Sequence, residues 1–107
     1  MRRFRELLPG REIVFAECGT QNVNGAIIDW GSRVLADPCE RDDQEFSDTW
    51  RAFFDAMVAL DLDGASLWNY DYYGYTFFAT QGNACRSYIN GTWAERVVAD
   101  FLRLSND

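Results

Sequence analysis

The chain has 107 residues, of which 48% are hydrophobic and 16% aromatic, and its formal net charge is −7 at pH 7. This composition excludes intrinsic disorder and predicts one domain, residues 1–107, with a single hydrophobic core. Because the chain contains no histidine, Ser-His-Asp and Cys-His catalytic arrangements are excluded. The sequence also contains no run of about 18 apolar residues, the length that would predict a membrane span.

The first third of the chain predicts a short helix followed by a three-stranded meander. "RRFRELL" favours a helix that Pro9 and Gly10 end. This basic start is not followed by an apolar stretch of the kind that a signal peptide has, so we expect a cytoplasmic protein. "EIVFAEC" alternates as a strand does, Asn24 and Gly25 are a strong hairpin signal, and "AIIDW" and "RVLA" predict two more strands.

An acidic stretch then leads into a long helix. Residues 37–63 contain nine acidic residues and two arginines, so the whole net charge of the chain lies in this quarter of it. Asp42 or Asp43 would cap the helix and Gly64 would end it. The helix is predicted from apolar residues at helical spacing, namely Phe46, Trp50, Phe53, Phe54, Met57 and Val58.

The second half of the chain predicts the same plan again. Turns separate three further strands, "ASLWNY", "YTFFATQ" and "ACRSYI", and a capping box formed by Thr92 and Glu95 opens a helix that runs through Leu104. We therefore predict an α+β fold: a mainly antiparallel sheet of five or six strands, with two main helices packed on one face. A βββα-βββα order fits this pattern. The side of the last helix that would face the sheet carries Trp93, Val97, Val98 and Phe101.

The stretch "NYDYYGYTFF" at residues 69–78 is the densest group of aromatic residues. Strand alternation puts large rings on both faces of this predicted hairpin, and two interpretations follow. The rings either pack across the strands, as aromatic residues in sheets usually do, or the turn residues Asp71, Tyr72 and Tyr73 protrude and bind another molecule.

The three cysteines, Cys18, Cys39 and Cys85, form no C-x-x-C pair, and without histidine they cannot complete a zinc site. We expect no metal and no cofactor. We expect free thiols, with one disulfide and a spare thiol as the alternative.

The charge pattern predicts the kind of partner. A concentrated negative charge is repelled by phosphate, so we expect no nucleic-acid partner, and we expect no membrane partner either. The charge favours a protein with a basic surface, and the module itself would be a monomer or a homodimer. The candidate binding residues are Asp42, Asp43, Glu45, Asp48, Asp71, Tyr72 and Tyr73.

In its size, its acidity and its lack of catalytic groups, the chain resembles bacterial immunity proteins, which neutralise a cognate toxin. The resemblance is one of general character over the whole chain and carries no motif, so it assigns no residue. It implies a non-catalytic inhibitor that blocks a toxin or enzyme in the cytoplasm.

Three other functions stay open from the sequence. The aromatic hairpin could bind a carbohydrate or another small ligand through stacked rings. A carboxylate enzyme could use Asp71, Asp29 or Glu17 as its acid or base. The aromatic face could also be the interface of a homodimer.

Overall fold

A computed structural model describes residues 2–29, 39–68, 89 and 91–104. In chain order these residues form helix α1, strand β1, helix α2, strand β2 and helix α3, and the predicted short helix, first strand and two main helices are confirmed. The strands predicted at "RVLA" and "YTFFATQ" lie outside the described residues, as does "ACRSYI" except for its last residue, Ile89. The element bounds are Arg2–Leu7 for α1, Val14–Cys18 for β1, Asp43–Ala59 for α2, Gly64–Leu67 for β2 and Trp93–Leu104 for α3.

The predicted sheet of five or six mainly antiparallel strands is wrong. The described residues contain two strands, β1 and β2, and they pair in parallel, with Val14 opposite Gly64 and Phe15 opposite Ala65. The chain between them passes through α2, and a crossover of this length returns a strand in the parallel direction, whereas a tight hairpin gives an antiparallel pair. The βββα order also fails in the first half, because residues 26–29 of the predicted strand "AIIDW" form no strand, and 26–28 are turns.

Helix α2 begins where the sequence predicts. Asp42 has extended backbone angles, and its carboxylate accepts a hydrogen bond of 2.8 Å from the Glu45 amide, which is the geometry of an N-cap. The predicted end at Gly64 is wrong. The helix stops at Ala59, Asp61 adopts a left-handed φ of 52°, and Gly64 already opens β2.

The main hydrophobic core lies between α2 and α3. Phe46 is 1% exposed, and the rings of Phe54 and Phe101 stack with their centroids 4.2 Å apart. The predicted stripes are right except at one residue on each helix, because Val58 is 70% exposed and Trp93 is 59% exposed. The buried residues of this core are Phe46, Trp50, Phe54, Met57, Ile89, Ala94 and Val98.

Asp63 ties the N-terminal segment to the start of β2. Its carboxylate accepts a hydrogen bond of 2.6 Å from the Ile13 amide and lies 3.4 Å from the Arg5 guanidinium. The Ile13 N–H is the largest influence on the pKa of Asp63 and lowers it; desolvation opposes this shift, and Arg5 adds to it, so the pKa lies below its ordinary value. A lowered pKa means that the folded state favours the ionised carboxylate.

Protonation of Asp63 should therefore weaken the fold. The stabilisation is fully present above the ordinary aspartate pKa of about 3.9 and is lost as the pH falls through the lower value of the folded state. We expect the free energy of unfolding in urea to fall less between about pH 7 and about pH 3 in Asp63→Asn than in the wild type. Asp100→Asn, which removes an exposed carboxylate 3.7 Å from Arg103, is the control. An equal fall in Asp63→Asn and the wild type would contradict the prediction.

None of the helices in the described ranges combines the length and the apolar character needed to cross a membrane.

Candidate protein-binding surface

Residues 22–29 form a compact series of turns, which we call the turn segment. Within it the Ala26 amide donates to the Val23 carbonyl at 3.1 Å, and the Ile28 and Asp29 amides both donate to the Gly25 carbonyl, at 3.1 and 2.9 Å. Gly25 has a left-handed φ of 76°, which a glycine adopts without strain. The chain therefore coils at Asn24 and Gly25 and does not reverse into a hairpin.

The turn segment is held against residues 40–48, which we call the acidic segment. The Asn24 amide donates to the Glu40 carbonyl at 2.7 Å. The Glu45 carboxylate accepts from the Gly25 amide at 2.8 Å and from the Ile27 amide at 3.4 Å. These bonds occupy backbone donors, among them that of Ile27, which a strand would need for its ladder.

Asp43 provides a further connection between the two segments. Its carboxylate accepts hydrogen bonds from the side-chain Nδ2 of Asn22 at 2.6 Å and from Arg41 Nε at 2.9 Å. The other end of the Arg41 guanidinium forms an ion pair with the same carboxylate at 2.8 Å. Asn22 is only 2% exposed. A hydrogen bond to a buried amide is worth more than one at the surface, because losing it leaves the donor without water.

The four predicted acidic site residues thus have different surroundings. Asp42 caps α2, while Asp43 and Glu45 hold the turn segment. Asp48 is exposed and accepts a hydrogen bond of 2.8 Å from Gln44 one turn earlier on α2. The structure brings all four together at the N-terminal end of α2. The other predicted site residues, Asp71, Tyr72 and Tyr73, lie outside the described residues.

The apolar side chains of the turn segment divide into a buried pair and an exposed pair. Val23 and Ala26 are buried and pack with the half-buried Cys39 in a small second core. Ile27 is 63% exposed and Ile28 is 91% exposed. Sequence reasoning assigned these isoleucines to a strand and missed them. A signal was present, since the run "AII" does not alternate with polar residues as a half-buried strand does.

A groove of about 1010 Å³ runs along the contact between α2 and α3. Phe54 and Phe101 line it together with charged residues of both signs, including Arg51 and Asp55, and the exposed Trp93 also lines it. An exposed indole beside polar groups can stack on a flat ligand, so this groove is a place where a small molecule could bind.

The sequence offered three carboxylates for catalysis. Glu17 and Asp29 are both exposed, and Asp71 lies outside the described residues. Within residues 2–29, 39–68, 89 and 91–104, no three cysteine, aspartate or glutamate residues are grouped so that they could hold a metal ion.

Cys18 is a free thiol beside a cavity of about 80 Å³, which Thr20 and Trp50 also line. Burial, and secondarily the charge of Glu17, raise the pKa of Cys18 above its ordinary value, so the thiol stays protonated at neutral pH. It therefore lacks the thiolate character of a nucleophile. Cys39, in contrast, is disulfide-bonded, which corrects the expectation of free thiols at this position.

Comparison of the chain with protein-family models, with curated proteins and with solved structures finds no significant match.

Proposed function

We propose that the chain is a non-catalytic protein-binding module, and that it acts as an inhibitor of the immunity type on a cognate toxin or enzyme with a basic surface. The observation that carries this proposal is the acidic segment. It contains five acidic residues and one arginine, and it is fixed in place by its hydrogen bonds to the turn segment.

The internal hydrogen bonds do not cancel the negative charge of this surface. Asp42 and Glu45 accept from neutral backbone amides, which bring no positive charge to offset the carboxylates, and Arg41 forms an ion pair with Asp43. Glu40 and Asp48 are exposed at either end of the segment. A fixed cluster of this kind attracts a positive surface over several ångströms and raises the rate of encounter.

The same charge makes other partners unfavourable. Nucleic acids present a dense row of phosphates. A protein binds them through lysine and arginine side chains, which neutralise the phosphates and release their counterions. The headgroups of anionic lipids attract basic segments for the same reason, and they repel acidic ones. A basic protein surface is the partner that this electrostatic field selects.

We propose the cytoplasm as the compartment of this function, as the resemblance to immunity proteins implies. The disulfide at Cys39 counts against that compartment, because disulfides are rare in cytosolic proteins. Alkylation of thiols at the moment of cell lysis, followed by mass measurement, decides the matter: modified Cys39 fits the cytoplasm, and unmodified Cys39 contradicts it.

The binding proposal is tested by capture from the cells that produce the protein, followed by an activity assay of the captured partner. The double variant Glu40→Gln/Asp48→Asn removes two exposed charges from the acidic segment, and we expect it to capture at least about tenfold less partner. Its matched control is Glu6→Gln/Glu12→Gln, which removes two exposed charges from the N-terminal region and should capture as the wild type does.

An inhibitor must also abolish the activity of what it binds. We expect the captured protein to lose its activity when mixed with one equivalent of the wild-type chain. Equal capture by both double variants, or a partner that stays fully active in the complex, would contradict the proposal.

A further inference from the structure

The side chains of Ile27 and Ile28, which we call the isoleucine tip, are exposed on the turn segment. Single exposed apolar residues are ordinary on protein surfaces. These two are adjacent, and Ile28 is 91% exposed, more than any other large hydrophobic residue in the described structure. Their neighbours Val23 and Ala26 are buried, so the turn segment directs part of its apolar surface inward and part outward.

The backbone beneath this tip is held in one conformation. Glu45 binds the Gly25 and Ile27 amides, and the Gly25 carbonyl accepts from the Ile28 amide at 3.1 Å. A preformed turn loses little conformational entropy when it inserts into a partner. The tip therefore has the rigidity that an anchor residue at an interface requires.

The carboxylates beside the tip determine what can cover it. A second copy of the chain would bring two acidic segments together, which costs repulsion, and an anionic membrane surface would be repelled in the same way. A protein pocket with an apolar floor and an arginine or lysine rim matches both features at once.

We propose that Ile28, supported by Ile27, is the apolar anchor of the interface and inserts into such a basic-rimmed apolar pocket of the partner protein. This inference rests on the proposed function, since it names the part of the partner that the acidic segment guides into place. Charge then sets the rate of encounter, and burial of the tip slows dissociation.

The test uses a synthetic amphipathic peptide with one leucine face bordered by arginines, titrated into the full chain and followed by calorimetry and amide NMR. We expect shifts at Ile27, Ile28 and the acidic segment. Ile28→Ser should weaken binding about tenfold, which corresponds to about 1.4 kcal/mol. Val58→Ser, which changes an exposed β-branched residue near the other end of α2, should leave the affinity unchanged.

Two control peptides separate the charge contribution from the apolar one. A peptide with serines in place of the leucines should bind about tenfold more weakly, and one with glutamates in place of the arginines should not bind. Failure of the leucine–arginine peptide to bind, shifts confined to the groove between α2 and α3, or equal affinity of Ile28→Ser and wild type would each overturn the inference.

The proposed function and this inference can fail separately. If Glu40→Gln/Asp48→Asn weakens binding of the peptide while Ile28→Ser does not, the acidic surface binds its partner without the isoleucine anchor. If neither variant changes the affinity, the isoleucine anchor is wrong, and the capture experiment alone decides the proposed function.

Discussion

Replacing Gly19 with alanine should destabilise the fold by about 3 kcal/mol, at the upper end of what overpacking costs. An added Cβ at this position would overlap the Trp68 carbonyl oxygen and would lie 3.1 Å from the Trp68 Cβ. The obstacle is backbone, so it cannot rotate away as a side chain could. Trp68 is itself fixed, because its amide donates to the Cys18 carbonyl at 2.6 Å.

Gly64→Ala is the matched control for this substitution. A Cβ at Gly64 would meet only the Val14 methyl groups at 3.7 Å, which is ordinary van der Waals contact. We expect a change in the free energy of unfolding of less than about 1 kcal/mol there, measured for both variants by urea denaturation. Equal stability of Gly19→Ala and Gly64→Ala would show that the chain leaves β1 along a different path.

Replacing Glu45 with alanine should cost about 2 kcal/mol and release the turn segment. Hydrogen bonds to a charged acceptor contribute about 1.5–3 kcal/mol each, and the bond to the Gly25 amide at 2.8 Å is the stronger of the two. For a domain of this size the loss lowers the melting temperature by roughly 10 °C. Hydrogen exchange of the Gly25 amide should accelerate by more than the global loss of stability explains.

Asp48→Ala is the control, since Asp48 is exposed and bonds to Gln44 on the same helix. Its effect should stay within about 0.5 kcal/mol, and Gly25 exchange should be unchanged. Glu45→Gln should lie between these two variants, because the amide keeps one acceptor oxygen but no charge. If Glu45→Ala left Gly25 exchange at its wild-type rate, Glu45 would not be what holds the turn.

The helices could be predicted from the sequence because their signals are local. Apolar residues at helical spacing place α2, and Asp42 caps it as expected. The errors arise where a distant residue decides the conformation. Asn24 and Gly25 favour a hairpin by themselves, but Glu45, twenty residues away, binds the Gly25 amide. The run "AII" does not alternate as a half-buried strand does, but nothing within residues 22–29 shows that Glu45 binds there.

The prediction of an antiparallel sheet was wrong for a related reason. Turn signals predict antiparallel neighbours, whereas β1 pairs with β2, which follows α2 in the chain. For the acidic residues, the sequence predicts the charge but not the contacts. Their charge was evident from composition, but the sequence alone did not show that Asp43 and Glu45 bind Asn22 and the turn segment. Consequently the isoleucine tip beside them was not predicted.

The most direct measurement of the central claim is the association rate constant between the wild-type chain and its captured partner as a function of salt. If the acidic segment guides a basic surface, the rate constant should fall at least about tenfold between about 50 and about 500 mM salt. Glu40→Gln/Asp48→Asn should reduce both the rate constant at low salt and its dependence on salt, while Glu6→Gln/Glu12→Gln should change neither. A rate constant that is independent of salt, or that falls equally in both double variants, would contradict the claim that this acidic surface selects the partner.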